Sequence, residues 1–89
     1  MREAYLEVTY RHGQPLAAYL YLPRETRSKS VRTRRVDPGM IVDLDAQGLP
    51  LGIEITAPGQ LTLVALNRLL RELGCDPVRR IDLAPLRAA

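Results

Sequence analysis

The chain has no tryptophan and no phenylalanine, a single histidine and a single cysteine. A core made without Phe or Trp must be aliphatic, drawn from Leu, Ile and Val, and four tyrosines (Tyr5, Tyr10, Tyr19, Tyr21) are the only aromatic residues. The lone Cys75 excludes an internal disulfide and any multi-cysteine zinc site within one chain. Its plainest reading is a small, half-buried filler after a helix. A reactive thiolate would need a nearby base, and His12 lies far away in sequence. His12 itself, between Arg11 and Gly13, reads as a solvated turn residue. No apolar run approaches the roughly 18 residues of a membrane span. Arg2, Glu3 and Glu7 interrupt the layout of a signal peptide. No membrane association and a cytoplasmic setting are therefore expected.

What is present suits one small domain: 46% of the residues are hydrophobic and 26% charged. A chain this short buries only about 60–65% of the surface its unfolded form exposes, so its core must be economical. A formal charge of +3 permits nucleic-acid binding without requiring it.

The organising stretch is residues 38–55, PGMIVDLDAQGLPLGIEI. Two apolar runs, 40–44 and 49–55, flank Asp45-Ala46-Gln47-Gly48, which predicts a β-hairpin with a short loop. Gly48 supplies the positive φ that closing such a loop commonly needs. Upstream, 4–10 and 16–22 alternate with period two, placing Leu6, Val8, Leu16, Ala18, Leu20 and Leu22 inward and Tyr5, Tyr19 and Tyr21 outward. Pro23 ends the second strand and a polar loop follows. Residues 31–36, VRTRRV, read as an edge strand whose charge discourages further pairing.

After Pro58-Gly59 the period changes. Leu63, Leu66, Leu69, Leu70 and Leu73 form one stripe of a helix, with Thr62 as N-cap and Gly74 as C′ residue. The expected fold is α+β: an antiparallel meander of about five strands followed by one amphipathic helix on the sheet. It forms a single domain over 1–89, with the sheet core at 1–57, the helix at 61–74 and a tail at 75–89. The tail reads either as a packed turn of helix or as a free end. A helix of three turns, about 18 Å long and ~10 Å wide, covers two or three strands, whereas five strands at ~4.8 Å spacing span about 20 Å. Apolar sheet surface left uncovered would favour a homodimer.

The chain resembles the small bacterial family DUF2283 through Ala18-Tyr19-Leu20-Tyr21-Leu22, through 41–48 (IVDLDAQG) and through Leu51-Gly52-Ile53-Glu54-Ile55. The resemblance covers roughly 4–57 and marks Asp43, Asp45, Gly48, Gly52 and Glu54 as motif residues. It departs from the family at Leu16, where an acidic residue often stands, and in the basic third strand. It implies an antiparallel β-rich fold and no established activity. Some members are similar to antitoxin-side partners of small ribonuclease toxins, which brings forward a small toxin-like protein as a partner.

Asp43 and Asp45, two apart on one strand, and Glu54 on its partner could hold a divalent cation or act as an acid–base pair. The plainer reading gives Asp45 an Asx-type turn bond and pairs Asp43 and Glu54 with arginines of a neighbouring strand. No catalytic residue, cofactor or metal site is assigned, and an enzyme is not expected. The basic segment Arg24, Arg27, Lys29, Arg32, Arg34 and Arg35 could contact nucleic acid or an acidic partner, with Arg32 and Arg34 near the tyrosine-bearing strand. The plainer alternative is a solvated edge. Tyr5, Tyr19 and Tyr21 could form a contact surface. The function expected is thus a non-enzymatic interaction module, antitoxin-like and homodimeric, and the competing reading is nucleic-acid binding through residues 24–35.

Overall fold

The computed structural model describes residues 3–24 and 29–87. Two hairpin units supply five strands. β1 (Tyr5–Arg11) and β2 (Gln14–Tyr21) are joined by His12-Gly13, with φ values of 53° and 77°. Positive φ at both loop residues is what a type I′ turn requires, and its twist matches that of the strands. β3 (Arg32–Val36), β4 (Met40–Leu44) and β5 (Pro50–Ile55) form the second unit.

All neighbouring strands are antiparallel and the order is β1-β2-β5-β4-β3. The antiparallel sheet and the helix after it are as expected. The order leaves a strictly sequential meander at one place, because β2 pairs with β5 and not with β3. The apolar Leu51, Ile53 and Ile55 suit a central strand, whereas the arginines of β3 belong at an edge.

The β1–β2 register slips by one residue between Thr9 and Tyr10, so that Tyr10 faces Pro15 while Thr9 faces Ala17. Leu16 becomes the extra residue of this bulge and is 53% exposed, against the inward position expected for it. Pro15, which has no N–H to offer a ladder, is at home beside such an irregularity.

The core is aliphatic, as the missing rings require. Ala18, Leu20 and Leu22 of β2 and its end meet Met40 and Val42 of β4 and Ile53 and Ile55 of β5. α1 (Leu63–Glu72) buries Leu66, Leu69 and Leu70 against them. Thr62 Oγ1 accepts the N–H of Ala65 at 3.1 Å, closing the first turn. At the other end the N–H groups of Gly74 and Cys75 donate to the carbonyls of Arg71 and Leu70, a Schellman closure.

The tail does not hang free. A 3-10 turn at Pro58–Gln60 precedes α1, and a second 3-10 segment, Arg80–Arg87, follows it and buries Leu83 in the core. Asn67, which the helical pattern places on the solvent side, instead clamps the chain. Its amide donates to the Val78 carbonyl (3.1 Å) and accepts the Val78 N–H (2.9 Å). Tyr10 adds a hydrogen bond from its hydroxyl to the Pro85 carbonyl at 2.5 Å. With Leu61, Leu83 and Leu86, the flanking segments cover apolar sheet surface that the helix alone would leave open. The helix side of the sheet is covered in this way.

Candidate functional site

The side of the sheet away from α1 has no covering layer among the described residues, and its side chains fall into two rows running across the strands. One row reads Glu7, Tyr19, Glu54, Ile41 and Arg35, the other Tyr5, Tyr21, Gly52, Asp43 and Thr33. Directly paired residues of antiparallel strands project to the same face, so the register alone assembles these rows.

Tyr5 and Tyr21 stack, with ring centroids 4.4 Å apart and planes 15° from parallel, and Tyr19 meets Tyr21 edge-on at 4.7 Å. The Tyr19 ring leans across β5 into the space that Gly52 leaves. A Cβ on Gly52 would overlap that ring. The hydroxyl thereby reaches β4 and donates to Asp43 Oδ2 at 2.6 Å. This explains why a strand of apolar and acidic residues carries a glycine in its middle. Asp43, expected to pair with an arginine, is instead the acceptor of a phenol. Tyr21 donates to Glu7 Oε1 at 3.3 Å.

Both phenols are harder to ionise than a free tyrosine. Burial is the main cause at Tyr19, followed by the hydrogen bond and charge of Asp43, with Tyr21 adding to them and Arg24 opposing. At Tyr21 the Glu7 charge leads, then burial and Tyr5.

Asp45 does not stand beside Asp43 as an open ligand. A second register slip, between Asp43 and Leu44, pairs Leu44 with Pro50 and leaves Asp45 inside the turn. Its Oδ1 accepts the N–H groups of Gln47 and Leu49, both at 2.9 Å, and the residue is buried. That is the expected Asx bond, doubled. Gly48 sits in the same turn at φ 83°. Asp43 faces Gly52, and Glu54 faces Ile41. No group of three or more His, Cys, Asp or Glu side chains among the described residues could hold a metal ion. Cys75 is half-buried, and burial followed by the charge of Asp76 pushes its thiol pKa up, opposite to what a thiolate nucleophile needs.

The basic segment does not join the tyrosines. β4 and β5 separate β3 from β2. Arg32 and Arg34, paired with Leu44 and Val42, project to the helix side, where Arg34 meets Glu72 of α1 at 3.5 Å. Alternation along the strand therefore removes the proposed stacking partners. Only Arg35 lies on the tyrosine face, at its far edge. Arg24 donates to the Leu51 carbonyl at 3.2 Å, Lys29 is exposed, and Arg27 lies outside the described residues.

The joint placement of Tyr19, Asp43 and Gly52 escaped the sequence reading. The Asp43–Gly52 register was available from the hairpin, but the β2–β5 pairing that brings Tyr19 to them was not. No described helix is long and apolar enough to cross a membrane.

No curated protein and no solved structure matches the chain. The model of the DUF2283 family, a protein of unknown function, matches residues 17–57. This span holds β2 to β5 almost entire, and with them Tyr19, Tyr21, Asp43, Gly52 and Glu54, while β1, the helix and the tail lie beyond it. Through that four-stranded segment, a little under half of the chain, the protein is similar to the DUF2283 family.

Proposed function

We propose that this chain is a small, non-enzymatic protein-interaction module whose contact surface is the open tyrosine face of the sheet. The supporting observation is the parallel stack of Tyr5 on Tyr21 outside the core, with Tyr5 51% exposed. Rigid aromatic rings with a polar tip are the side chains that protein interfaces favour. Two of the three carboxylates that could serve catalysis are otherwise engaged, Asp45 in its turn and Asp43 on a phenol. A second copy on this face would give a homodimer. A small toxin-like protein, the partner class that the family resemblance brings forward, would use the same rings.

The test replaces Tyr5 by a photo-crosslinking phenylalanine derivative and, in a separate variant, does the same at Val64, an exposed residue of α1. Irradiation in cells should give a discrete adduct from position 5 and none from position 64. Equal labelling from both, or none from position 5, sinks the reading. The mass of the adduct separates a second copy from another protein.

The competing function, nucleic-acid binding, is supported by the exposed residues Lys29, before the edge strand β3, and Arg32, Arg34 and Arg35 on it. It requires affinity that falls steeply with salt and drops in the Arg32→Ala, Arg35→Ala double variant.

A further inference from the structure

The open face carries a charge opposite in sign to that of the whole chain. The net charge is +3, yet within the two rows Glu7 and Glu54 flank Tyr19 directly, and Asp43 lies diagonal to Glu54 across β4 and β5. Arg35 sits at the outer end of one row, and Arg24 lies beyond the end of β2 with its guanidinium on the Leu51 carbonyl. Three carboxylates thus lie among three tyrosine rings, with Arg35 at the border and the Arg24 charge near enough to oppose them at Tyr19 and Tyr21.

Glu54 is exposed and makes no hydrogen bond or ion pair among the described residues, so its carboxylate is available to an incoming group. Glu7 is exposed as well and already holds the Tyr21 hydroxyl. The raised phenol pKa of Tyr21, caused first by Glu7, reports the same negative field.

We infer that the open face docks a basic segment of a partner protein, with an arginine laid across the Tyr19 and Tyr21 rings between Glu7 and Glu54. The inference rests on reading this face as the contact surface and adds the chemistry of what it contacts. A planar guanidinium stacks on an aromatic ring and pairs with a carboxylate at once, which a compact ammonium does less well. Strand spacing of ~4.8 Å puts Glu7 and Glu54, one strand to either side of Tyr19, about 10 Å apart at the backbone, a span that one extended arginine with its neighbours can bridge. The same carboxylates repel phosphate, so nucleic acid is unsuited to this face even though its rings could stack on bases.

The test is a titration of the full chain with an oligo-arginine peptide, followed by amide and side-chain NMR shifts at moderate salt. A chain of net positive charge has no general attraction for such a peptide, so saturable binding must come from a local surface. The expected result is saturable shifts confined to β1, β2 and β5, weaker binding of oligo-lysine, and an affinity loss of about tenfold or more in the Glu7→Gln, Glu54→Gln double variant. Both substitutions are at exposed positions and should leave the circular dichroism spectrum unchanged. Shifts that never saturate, that lie elsewhere, or that persist in the double variant overturn the inference. So does a salt-stable dimer that masks the face, or an oligonucleotide that moves the same resonances. A position-5 crosslink to another protein, combined with failure of the peptide, would leave the interaction module standing and remove only the basic partner.

Discussion

On the helix side of the sheet, Leu20, Ile53 and Val42 stand in register across β2, β5 and β4. One residue further along β2 and β4, and one residue back along β5, Tyr21, Gly52 and Asp43 stand in register on the other side. The same three strands therefore carry two surfaces held together by different physics. The covered one is filled by volume, with Val42, Ile53 and Leu66 fully withdrawn from water. The open one is tied by directed contacts, a phenol to a carboxylate and ring to ring, with solvent close by. Apolar burial is large and non-directional, whereas a hydrogen bond exchanged against water contributes little net energy. The covered side thus carries the stability, and the open side carries shape and charge at small energetic cost.

The contrast can be broken most forcefully from the covered side. Leu66→Ala removes a fully buried side chain between helix and sheet and should cost about 2–5 kcal/mol in denaturant unfolding, the range for such cavities. A loss below 1 kcal/mol would mean that the helix is not part of the core.

The middle effect lies on the open side. In Gly52→Ala the new methyl meets the Tyr19 ring, and overpacking of this kind costs about 1–3 kcal/mol. Adding Tyr19→Ala should recover part of that loss, so the double variant should fall short of the sum of the singles. Strict additivity would show that the two side chains do not share the space.

The smallest effect sharpens the comparison. Tyr19→Phe keeps the ring and removes the bond to Asp43, for about 0.5–1.5 kcal/mol near neutral pH. Its pH dependence has a definite sign. The fold raises the Tyr19 pKa above the free value of 10.0, so it favours the protonated phenol. That stabilisation is complete below pH 10 and is lost as the pH rises beyond it. Wild-type unfolding midpoints should therefore fall more steeply in alkali than those of Tyr19→Phe, and parallel curves would exclude the linkage.

Much of this fold was legible because its signals are local. Period-two alternation placed Leu20 and Tyr19 on opposite faces, the leucine spacing gave α1 its buried stripe, and Thr62 and Gly74 marked its ends. The signals that failed depend on partners distant in sequence. Leu16 belongs to the inward pattern until the Pro15 bulge takes it out of register. Asn67 looks like a solvent-facing helix residue until Val78 arrives to use both ends of its amide. Arg32 and Arg34 could not be assigned a face without knowing that Val42 and Leu44 oppose them. For the candidate surface, composition and alternation identified Tyr5, Tyr19 and Tyr21 as outward, but the Asp43 partner of Tyr19 followed only from the join between β2 and β5.

That join also orders events in time. The β1–β2 hairpin closes over two residues, and β3 to β5 close over short turns, so each unit can form from neighbours in sequence. Ala18 must find Ile55, and Leu20 must find Ile53, across the whole intervening chain. Loop closure of that kind is slow because its entropy is lost before its contacts are gained. Tyr19 lies on one side of the seam, with Gly52 and Asp43 on the other, so the phenol cannot reach its carboxylate until the two hairpins have met. The hydrogen bond that spans Gly52 thus forms only once the two units have joined, and that join brings Asp43 and Glu54 to the tyrosines.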